Sequence, residues 1–325
     1  MDLVRWGLLS TARINRRVIP AIRTSERGIL VAVASRSQES ANAYAADWEI
    51  SQSFGSYQEM LDSDTIDAVY ISLPNHLHAE WTLRALEAGK HVLCEKPFAI
   101  TLEQVDQMIA KAAETGLILA EAFMYRHHPQ TKIAGEWVKE GRLGDITSFY
   151  SIFNFSGMAP DNVRLNPEYG GGSLWDIGVY PISLAQYLMD GPPQWVFGDQ
   201  SVGESGVDMT FAGLMGYSGE KMAQIASSFS SPFYTYAEIS GTAGRLTLNR
   251  PFIHMEEGTH LQFTPASGES ELIPVPEKEL YLGEIEDMHA AILDGTPNYL
   301  TLSESRDHVR TVLALYESAR TGQKI

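Results

Sequence analysis

The chain has 325 residues, of which 44% are hydrophobic and 20% charged, the profile of a folded globular protein with enough material for two domains. It carries 24 Lys and Arg against 41 Asp and Glu, a formal net charge of −17. Such a surface repels the phosphates of nucleic acids, which argues against a nucleic-acid partner. An anionic ligand must therefore be held by local features, such as a helix N-terminus or single arginines.

Cys94 is the only cysteine, which excludes an intrachain disulfide and a thiolate metal cluster. We expect it to be a small buried hydrophobic residue. The N-terminal stretch MDLVRWGLLSTARI lacks the features of a secretion signal, and no apolar run is long enough to cross a membrane. These observations predict a cytoplasmic protein without membrane association.

Short apolar runs alternate with amphipathic stretches over residues 1–123. The runs are VRWGLLS, ILVAVAS, AVYISLP, HVLCEKP and LILAEAF. Runs this apolar are typical of parallel strands that are buried on both faces. Between them, AEWTLRALEAGK and LEQVDQMIAKAAETG have helical spacing and stop at Gly89 and Gly116, as helices ending in glycine do. The pattern predicts an α/β domain built from βαβ units.

The pattern changes in residues 124–325, which predict a second domain. TKIAGEWVKEGRLGD indicates a helix, ITSFYSIFNFS a long strand, and residues 174–189 another helix. Short β-like runs with turn residues between them fill residues 195–263, which is typical of an antiparallel or mixed sheet. Two further helices are predicted near the C-terminal end, in EIEDMHAAILDG and SESRDHVRTVLALYESARTG. Ser303 is the expected N-cap of the second.

The stretch GLLSTARI, Gly7 to Ile14, lies where the first strand turns into the first helix. A doubly wound sheet binds the pyrophosphate of a dinucleotide at this place, on a helix N-terminus. The stretch matches G-x-G-x-x-G/A at Gly7 and Ala12, but Leu9 replaces the middle glycine. A plain strand-to-helix turn is therefore the alternative.

The second strand ends in Ser35-Arg36-Ser37, where NAD-specific folds place an acidic residue for the ribose hydroxyl. A guanidinium flanked by two hydroxyls suits a 2′-phosphate, so the sequence favours NADP over NAD. The alternative is that Arg36 is a solvated loop cation.

The loop Leu73-Pro74-Asn75-His76-Leu77-His78 follows another predicted strand, at the sheet edge where ligands of open α/β folds bind. His76 and His78 are also possible metal ligands. No third ligand is placed nearby, so we predict no metal site. We expect the two histidines to line the nicotinamide end of the cofactor.

The stretch CEKPFA, residues 94–99, ends a strand at that same edge. Pro97 fixes the backbone after Lys96, and a cis or sharply turned peptide there would aim the lysine at the site. A lysine in that place lowers the pKa of a neighbouring acid or donates a hydrogen bond to a substrate oxygen. An ordinary exposed strand end is the alternative.

The stretch GGGSLWDIGVY, Gly170 to Tyr180, supplies an acid and a phenol. If the segment from Ser173 is helical, Asp176 and Tyr180 are four residues apart on one face, as in a proton-handling pair. A free tyrosine has a pKa of about 10, so Tyr180 needs a nearby cation, and Lys96 is the candidate. A packed aromatic and a helix hydrogen-bonding carboxylate are the alternative.

The stretches GLLSTARI, CEKP, EAFMYRHHPQ, GGGSLWDIGVY, ISGTAGRLTLNRPF and YLGEIEDMHAAILDG together resemble the glucose–fructose oxidoreductase/inositol dehydrogenase family. The similarity runs along essentially the whole chain. It is closest to the branch of dimeric dihydrodiol dehydrogenases and NADP-dependent xylose dehydrogenases, which carry tyrosine where inositol dehydrogenases have histidine. The resemblance implies a Rossmann domain, residues 1–123, and an α+β domain with a large open, mainly antiparallel sheet, residues 124–325.

The resemblance also implies roles for the matching residues. Lys96 lies beside the nicotinamide, Tyr180 is the acid/base and Asp176 lies near the substrate, while Arg126 sits by the nicotinamide or the substrate. Met124 or Tyr125 replaces the family's usual tryptophan-like residue, which puts that contact in question. The expected cofactor-binding residues are Gly7, Thr11, Ala12, Arg13, Ile14, Ser35, Arg36, Ser37, Leu73, Pro74, Asn75, His78, Glu95, Lys96 and Arg126.

The implied activity is hydride transfer between NADP, with NAD possible, and a hydroxyl or carbonyl of a sugar, polyol or dihydrodiol. The sheet implies a homodimer or homotetramer. Two relatives of different activity are the alternatives: a glycosidase that retains NAD, and a catalytically silent protein that senses nucleotides. The full set of Lys96, Asp176 and Tyr180 argues against the silent protein, and Arg36 argues against the glycosidase.

Overall fold

The computed structural model describes residues 3–253 and 259–325 of the chain. The chain divides into two units, Met1–Met124 with Tyr281–Arg306, and Tyr125–Leu280 with Asp307–Ile325. The helices are α1 (Asn15–Thr24), α2 (Gln38–Asp47), α3 (Tyr57–Leu61), α4 (His78–Glu87), α5 (Leu102–Thr115), α6 (Pro129–Lys139), α7 (Val179–Leu188), α8 (Leu282–Asp294) and α9 (Leu302–Thr321). In the part of the chain that the structure describes, no helix is long and apolar enough to span a membrane.

The first unit is built on a parallel sheet of six strands in the order β3-β2-β1-β4-β5-β6. The strands are β1 (Val4–Leu9), β2 (Gly28–Ala34), β3 (Gln52–Phe54), β4 (Ala68–Ile71), β5 (His91–Glu95) and β6 (Leu119–Ala122). Buried residues on both faces of the central strands, such as Leu8, Val69 and Val92, explain the continuous apolar runs. The order is that of a Rossmann dinucleotide-binding fold, which confirms the predicted fold class.

Strand β3 is one of the elements that the apolar pattern does not predict. Its three residues, QSF, are all half-buried at the edge of the sheet. A strand this short and polar produces no run that a sequence pattern detects. The predicted helix ends are confirmed at α5, where Gly116 takes a left-handed conformation at the C-cap.

Helix α8 groups with the first unit, although the sequence assigns its residues to the second domain. His289 on α8 lies between β1 and the segment after α1, since its Nε2 accepts from the Trp6 indole at 2.9 Å and its Nδ1 lies 3.0 Å from Ser25 Oγ. Arg27 also pairs with Asp294 at 2.7 Å. The predicted domain boundary at residue 123 stays a prediction, and the return of this segment is not visible in the local pattern.

The second unit contains an eight-stranded sheet in the order β14-β13-β12-β11-β7-β10-β9-β8. The strands are β7 (Ile146–Asn154), β8 (Trp195–Val202), β9 (Asp208–Gly216), β10 (Met222–Ser228), β11 (Tyr234–Gly241), β12 (Gly244–Asn249), β13 (His260–Pro265) and β14 (Glu271–Pro274). Only the β7–β10 pair is parallel among these described strands, which confirms a mainly antiparallel sheet. Residues 254–258, inside the region predicted to be β-rich, lie outside the described residues.

The N-cap predicted for α9 is wrong by two residues. Thr301 Oγ1 accepts from the N–H of Glu304 at 3.2 Å, and Glu304 Oε2 accepts from the N–H of Thr301 at 3.0 Å. This is a complete capping box, whereas a cap at Ser303 would leave Arg306 in the position of the acidic partner. The helix therefore begins where both halves of the box are available.

Candidate active site

Buried polar side chains hold the turn between β1 and α1. The Ser10 hydroxyl lies 2.7 Å from the Ser72 hydroxyl and accepts from the N–H of Ala12 at 3.0 Å. Ser72 donates to Asn15 Oδ1 at 2.6 Å, and Asn15 Nδ2 donates to the Ser10 carbonyl at 2.7 Å. These bonds fix the turn without the middle glycine that Leu9 replaces. Sequence reasoning missed this network, although a serine directly after the strand was a usable signal.

The N-terminus of α1 suits an anionic group. Its N-cap residue, Ile14, makes no side-chain capping bond, and the first turn carries no acidic residue among those described. Backbone N–H groups at such a helix end favour a phosphate. Residues 1–36 contain seven arginines and two acidic residues, in a chain whose net charge is −17. The site therefore fits the diphosphate of a dinucleotide.

The residues after β2 differ in how well they suit a 2′-phosphate. Ser37 caps α2, since its Oγ accepts from the N–H of Ser40 at 3.3 Å and donates to Ser40 Oγ at 2.9 Å. A bond from Ser37 to a phosphate would compete with this cap. Ser35 is buried and Arg36 is exposed. Burial raises the pKa of Tyr57, and the nearby Arg36 guanidinium partly offsets this rise. Arg36 is the best placed of the three predicted contacts.

His78 joins two loops at the carboxyl edge of the first sheet. Its Nε2 lies 2.8 Å from the carbonyl oxygen of Leu73, and its Nδ1 lies 2.8 Å from that of Pro97. The ring is fully buried, and this burial lowers its pKa to about 4. A neutral ring has one N–H and donates to one of these carbonyls at a time. The predicted contact of His78 with the nicotinamide stays a prediction, while its position explains how the loops are held together.

Lys96 follows β5 directly and is half-buried, and the peptide between Lys96 and Pro97 is cis, one of the two geometries predicted. The neighbouring Glu95 accepts a hydrogen bond from the Tyr70 hydroxyl. Tyr70 is paired in register with Leu93, two residues before Glu95, so both side chains lie on one face of the sheet. Burial raises the pKa of Tyr70 well above its usual value, and the Glu95 carboxylate raises it further. Tyr70 therefore stays protonated and orients Glu95.

The backbone just beyond Lys96 is fixed from the neighbouring strand. Glu121 on β6 is buried, and its Oε1 accepts from the N–H of Phe98 at 3.0 Å. Cys94 on β5 is also fully buried, as predicted. Neither Tyr70 nor Glu121 was selected from the sequence, because both lie inside apolar runs that predict only strands.

In the second unit, a π-helical turn, Leu174–Gly178, precedes α7 and carries Asp176. A helix over residues 174–189 is therefore confirmed in position, but its first turn is wider than predicted. Buried Asp208 holds the start of this turn, accepting from Ser173 Oγ at 2.7 Å and from the N–H of Leu174 at 2.8 Å. Burial raises the pKa of Asp208, and its hydrogen-bond donors partly offset this rise. Such π-turns occur frequently at functional sites.

Tyr180 is the second residue of α7 and is packed among aromatic rings. Its ring centroid lies 5.7 Å from that of Tyr125 and 5.4 Å from those of Phe153 and Phe252. Buried Arg126 reaches the same helix, with its guanidinium 4.2 Å from the centroid of the Tyr187 ring. The contact predicted between Arg126 and nicotinamide or substrate stays a prediction.

The structure brings Asp176 together with a residue that sequence reasoning missed. Arg164 Nε donates to Asp176 Oδ2 at 2.7 Å. Lys96 belongs to the first unit and Tyr180 to the second, and their predicted approach stays a prediction. No group of three or more His, Cys, Asp or Glu residues within residues 3–253 and 259–325 could hold a metal ion.

The first unit thus has the sheet order, the turn and the anion-binding helix end of a dinucleotide-binding domain. Comparison with known proteins agrees. Residues 4–123 match the model of the oxidoreductase family with an NAD-binding Rossmann fold, and residues 131–247 match the GFO/IDH/MocA C-terminal domain. The chain belongs to the GFO/IDH/MocA family of oxidoreductases.

Individual relatives cover nearly the whole chain. A D-xylose 1-dehydrogenase (NADP(+)) of Haloferax volcanii is 35% identical over 98% of both chains. The structure of an aldose-aldose oxidoreductase from Caulobacter crescentus, complexed with glycerol, superposes with a TM-score of 0.92 at 25% identity, covering 100% of this chain and 99% of the other. A 3-ketoreductase from Actinomadura kijaniata, in complex with NADP and TDP-benzene, gives a TM-score of 0.90 at 30% identity over 98% of both chains.

Proposed function

We propose that this oxidoreductase transfers hydride between NADP and a hydroxyl or carbonyl group of a sugar, a polyol or a dihydrodiol. The observation that carries the proposal is the complete set of Lys96, Asp176 and Tyr180 in a chain of this family. The relatives support the substrate class, since they are named for xylose, for aldoses and for a 3-keto group. Two of them are named for, or bound to, NADP.

NADP supplies or accepts the hydride, and the residues of the chain do the rest. The α1 N-terminus and Arg36 hold its phosphates, and Tyr70 orients Glu95 beside Lys96. Tyr180 exchanges the proton of the reacting hydroxyl, and Lys96 stabilises the phenolate and the charge that develops on the substrate oxygen. Asp176 binds the substrate. The single buried cysteine supports a cytoplasmic location.

Replacing the Tyr180 hydroxyl tests the proposed chemistry. Because positioned proton transfer contributes about 10²- to 10⁴-fold, Tyr180→Phe should lower kcat by that factor while NADP binding is unchanged. Tyr217→Phe is the matched control, since Tyr217 is also buried and its hydroxyl has no hydrogen-bond partner among the described residues. Activity of Tyr180→Phe within a few-fold of wild type would remove Tyr180 from this role.

Absorbance at 340 nm, measured with NADP and NAD across aldoses, polyols and dihydrodiols, tests the function as a whole. NADP-dependent turnover of one of these compounds is the expected result. Consumption of a glycoside without net change in absorbance would instead indicate the glycosidase that retains NAD. Binding of NADP with no turnover of any compound would indicate the silent protein.

We also propose that the chain forms a homodimer or homotetramer through the second sheet. The strand registers put four exposed apolar residues on one face of this sheet: Tyr150, Phe197, Met222 and Tyr234. Exposed apolar surfaces of this kind mark interfaces. Sedimentation should show an oligomer that Tyr150→Lys with Tyr234→Lys converts to a monomer, and a monomeric wild type would contradict the proposal.

A further inference from the structure

The loop before Asp176 is folded into one defined shape by its own polar groups. Asn162 Oδ1 accepts from the N–H of Arg164 at 3.0 Å, and the Arg164 carbonyl accepts from the N–H of Gly172 at 2.9 Å. The Asn166 carbonyl accepts from the N–H of Gly171 at 3.0 Å. A side chain at Gly171 would place Cβ 2.4 Å from the Arg164 carbonyl oxygen. The glycine run therefore lets the loop close back on Arg164.

The shape of this loop places the Arg164 side chain next to Asp176. Arg164 Nε lies 2.7 Å from Asp176 Oδ2, and the two side chains are 43% and 12% exposed, respectively. Because the guanidinium is exposed to solvent, the ion pair contributes little to stability, so stability alone does not account for the arrangement. The pair joins a solvent-facing guanidinium to a largely enclosed carboxylate, on the helical segment that carries Tyr180 four residues later.

Such a pair matches the chemistry of neighbouring hydroxyl groups. A hydroxyl both donates and accepts, a guanidinium only donates and a carboxylate only accepts. One hydroxyl of a vicinal pair can therefore accept from Arg164 while the next donates to Asp176. The charges of the two side chains cancel, which favours a neutral polyhydroxylated substrate over a charged one.

We propose that Arg164 determines specificity, binding together with Asp176 a vicinal pair of hydroxyls on the substrate, next to the group on which Tyr180 acts. This inference rests on the proposed function and names the part of the substrate that the second unit recognises. Arg164 lies in the second unit and is not among the residues proposed to bind NADP, so its effect is expected on the substrate.

Arg164→Met removes the guanidinium donors and keeps an unbranched stem of similar shape. For the best substrate of the panel, kcat/KM should fall by about 10- to 100-fold, mostly through KM, because a hydrogen bond to a charged group is lost. The Kd for NADP should be unchanged. Arg142→Met is the matched control, since Arg142 Nε also lies 2.7 Å from a carboxylate, that of Glu140, and is 51% exposed. It should leave both constants unchanged.

Deoxy analogues of the substrate separate recognition from a purely structural role. Wild type should discriminate against the analogue that lacks one particular hydroxyl, and Arg164→Met should lose this discrimination while Arg164→Lys keeps part of it. If Arg164→Met lowered kcat/KM by the same factor for the substrate and for every analogue, or did not lower it at all, the inference would be overturned.

Direct binding keeps the inference and the proposed function distinguishable. Calorimetric titration of the same sugars into NADP-loaded protein needs no turnover. Weaker binding to Arg164→Met than to wild type supports the inference even if the chemistry differs from the one proposed. Equal binding to both proteins, with wild type active, overturns the inference alone, and absence of both binding and turnover in wild type overturns both.

Discussion

Arg36 is the side chain on which the preference for NADP depends. It is exposed after β2, where a carboxylate would select NAD, and Ser37 beside it is occupied as the cap of α2. Arg36→Ala should therefore weaken NADP binding by about 10- to 100-fold and leave NAD binding nearly unchanged, because only NADP carries the phosphate that the guanidinium binds.

The Kd values for both cofactors, measured by fluorescence titration, check this expectation. Arg320→Ala is a suitable control, since Arg320 is an exposed arginine that pairs with Glu317 one turn earlier on the same helix. An unchanged ratio of the NADP and NAD constants in Arg36→Ala would show that Arg36 is a solvated loop cation.

The residues of the candidate site divide according to how far along the chain their partners lie. Lys96, Asp176 and Tyr180 are recognisable because each belongs to a short stretch with its own spacing and turn residues. Ser10 is fixed by Ser72, 62 residues away, and the partner of Asp176 is 12 residues earlier in an irregular loop. A local pattern carries no information on such partners, so the side chains that support the site were missed.

At the level of elements, burial explains both the success and the misses of the sequence patterns. The central strands were predicted because both of their faces are buried, which makes them continuously apolar. Strands β3 and β14 lie at sheet edges, and the residues of β14 are almost all exposed. These two edge strands need no apolar pattern, because their position is set by pairing with a neighbour.

The π-turn before α7 was not predictable from its own sequence, because it depends on the carboxylate of Asp208 on β9. Gly172 has φ +121°, and a Cβ there would lie 2.1 Å from Asp208 Oδ1. Gly172→Ala should therefore displace Asp208 from Ser173 and Leu174, lowering the free energy of unfolding by about 2–4 kcal/mol through backbone strain and lost hydrogen bonds. The activity should fall as well, since the turn carries Asp176.

Gly141→Ala provides the comparison for this prediction. Gly141 also has a positive φ, +70°, but a Cβ there meets nothing within 4 Å, so only about 1–2 kcal/mol of backbone strain is expected. Urea unfolding and the steady-state constants of both variants measure the difference. Equal losses of stability with full activity would mean that the contact with Asp208 does not hold the turn.

On the scale of the whole chain, the first unit combines residues that are far apart in the sequence, since α8 returns to the N-terminal sheet. Trp6 on β1 and His289 on α8 are 283 residues apart and are joined by a buried hydrogen bond. The indole N–H of Trp6 only donates, so His289 Nε2 must accept and the ring proton is on Nδ1, facing Ser25 Oγ. This contact therefore requires the neutral form of the ring. Protonation of His289 at low pH would break the hydrogen bond between α8 and β1.

The pH dependence of stability follows from this requirement. Burial and, to a smaller extent, the nearby Arg27 guanidinium together lower the pKa of His289 from an unfolded value near 6.5 to about 4. The unfolded chain thus binds the proton more tightly, so the contribution is complete above pH 6.5 and is lost as the pH falls toward 4. Between pH 7 and pH 5, this histidine alone should lower the free energy of unfolding by on the order of 2 kcal/mol.

His289→Gln isolates this contribution from those of other buried histidines. The glutamine oxygen can accept from Trp6 without titrating, so the variant should be less stable at pH 7 but lose less stability on acidification. Urea unfolding at pH 8, 7, 6 and 5 gives both curves, which should run parallel between pH 8 and pH 7 and converge below. Curves that stay parallel down to pH 5 would mean that the contact of His289 with Trp6 does not make stability depend on pH.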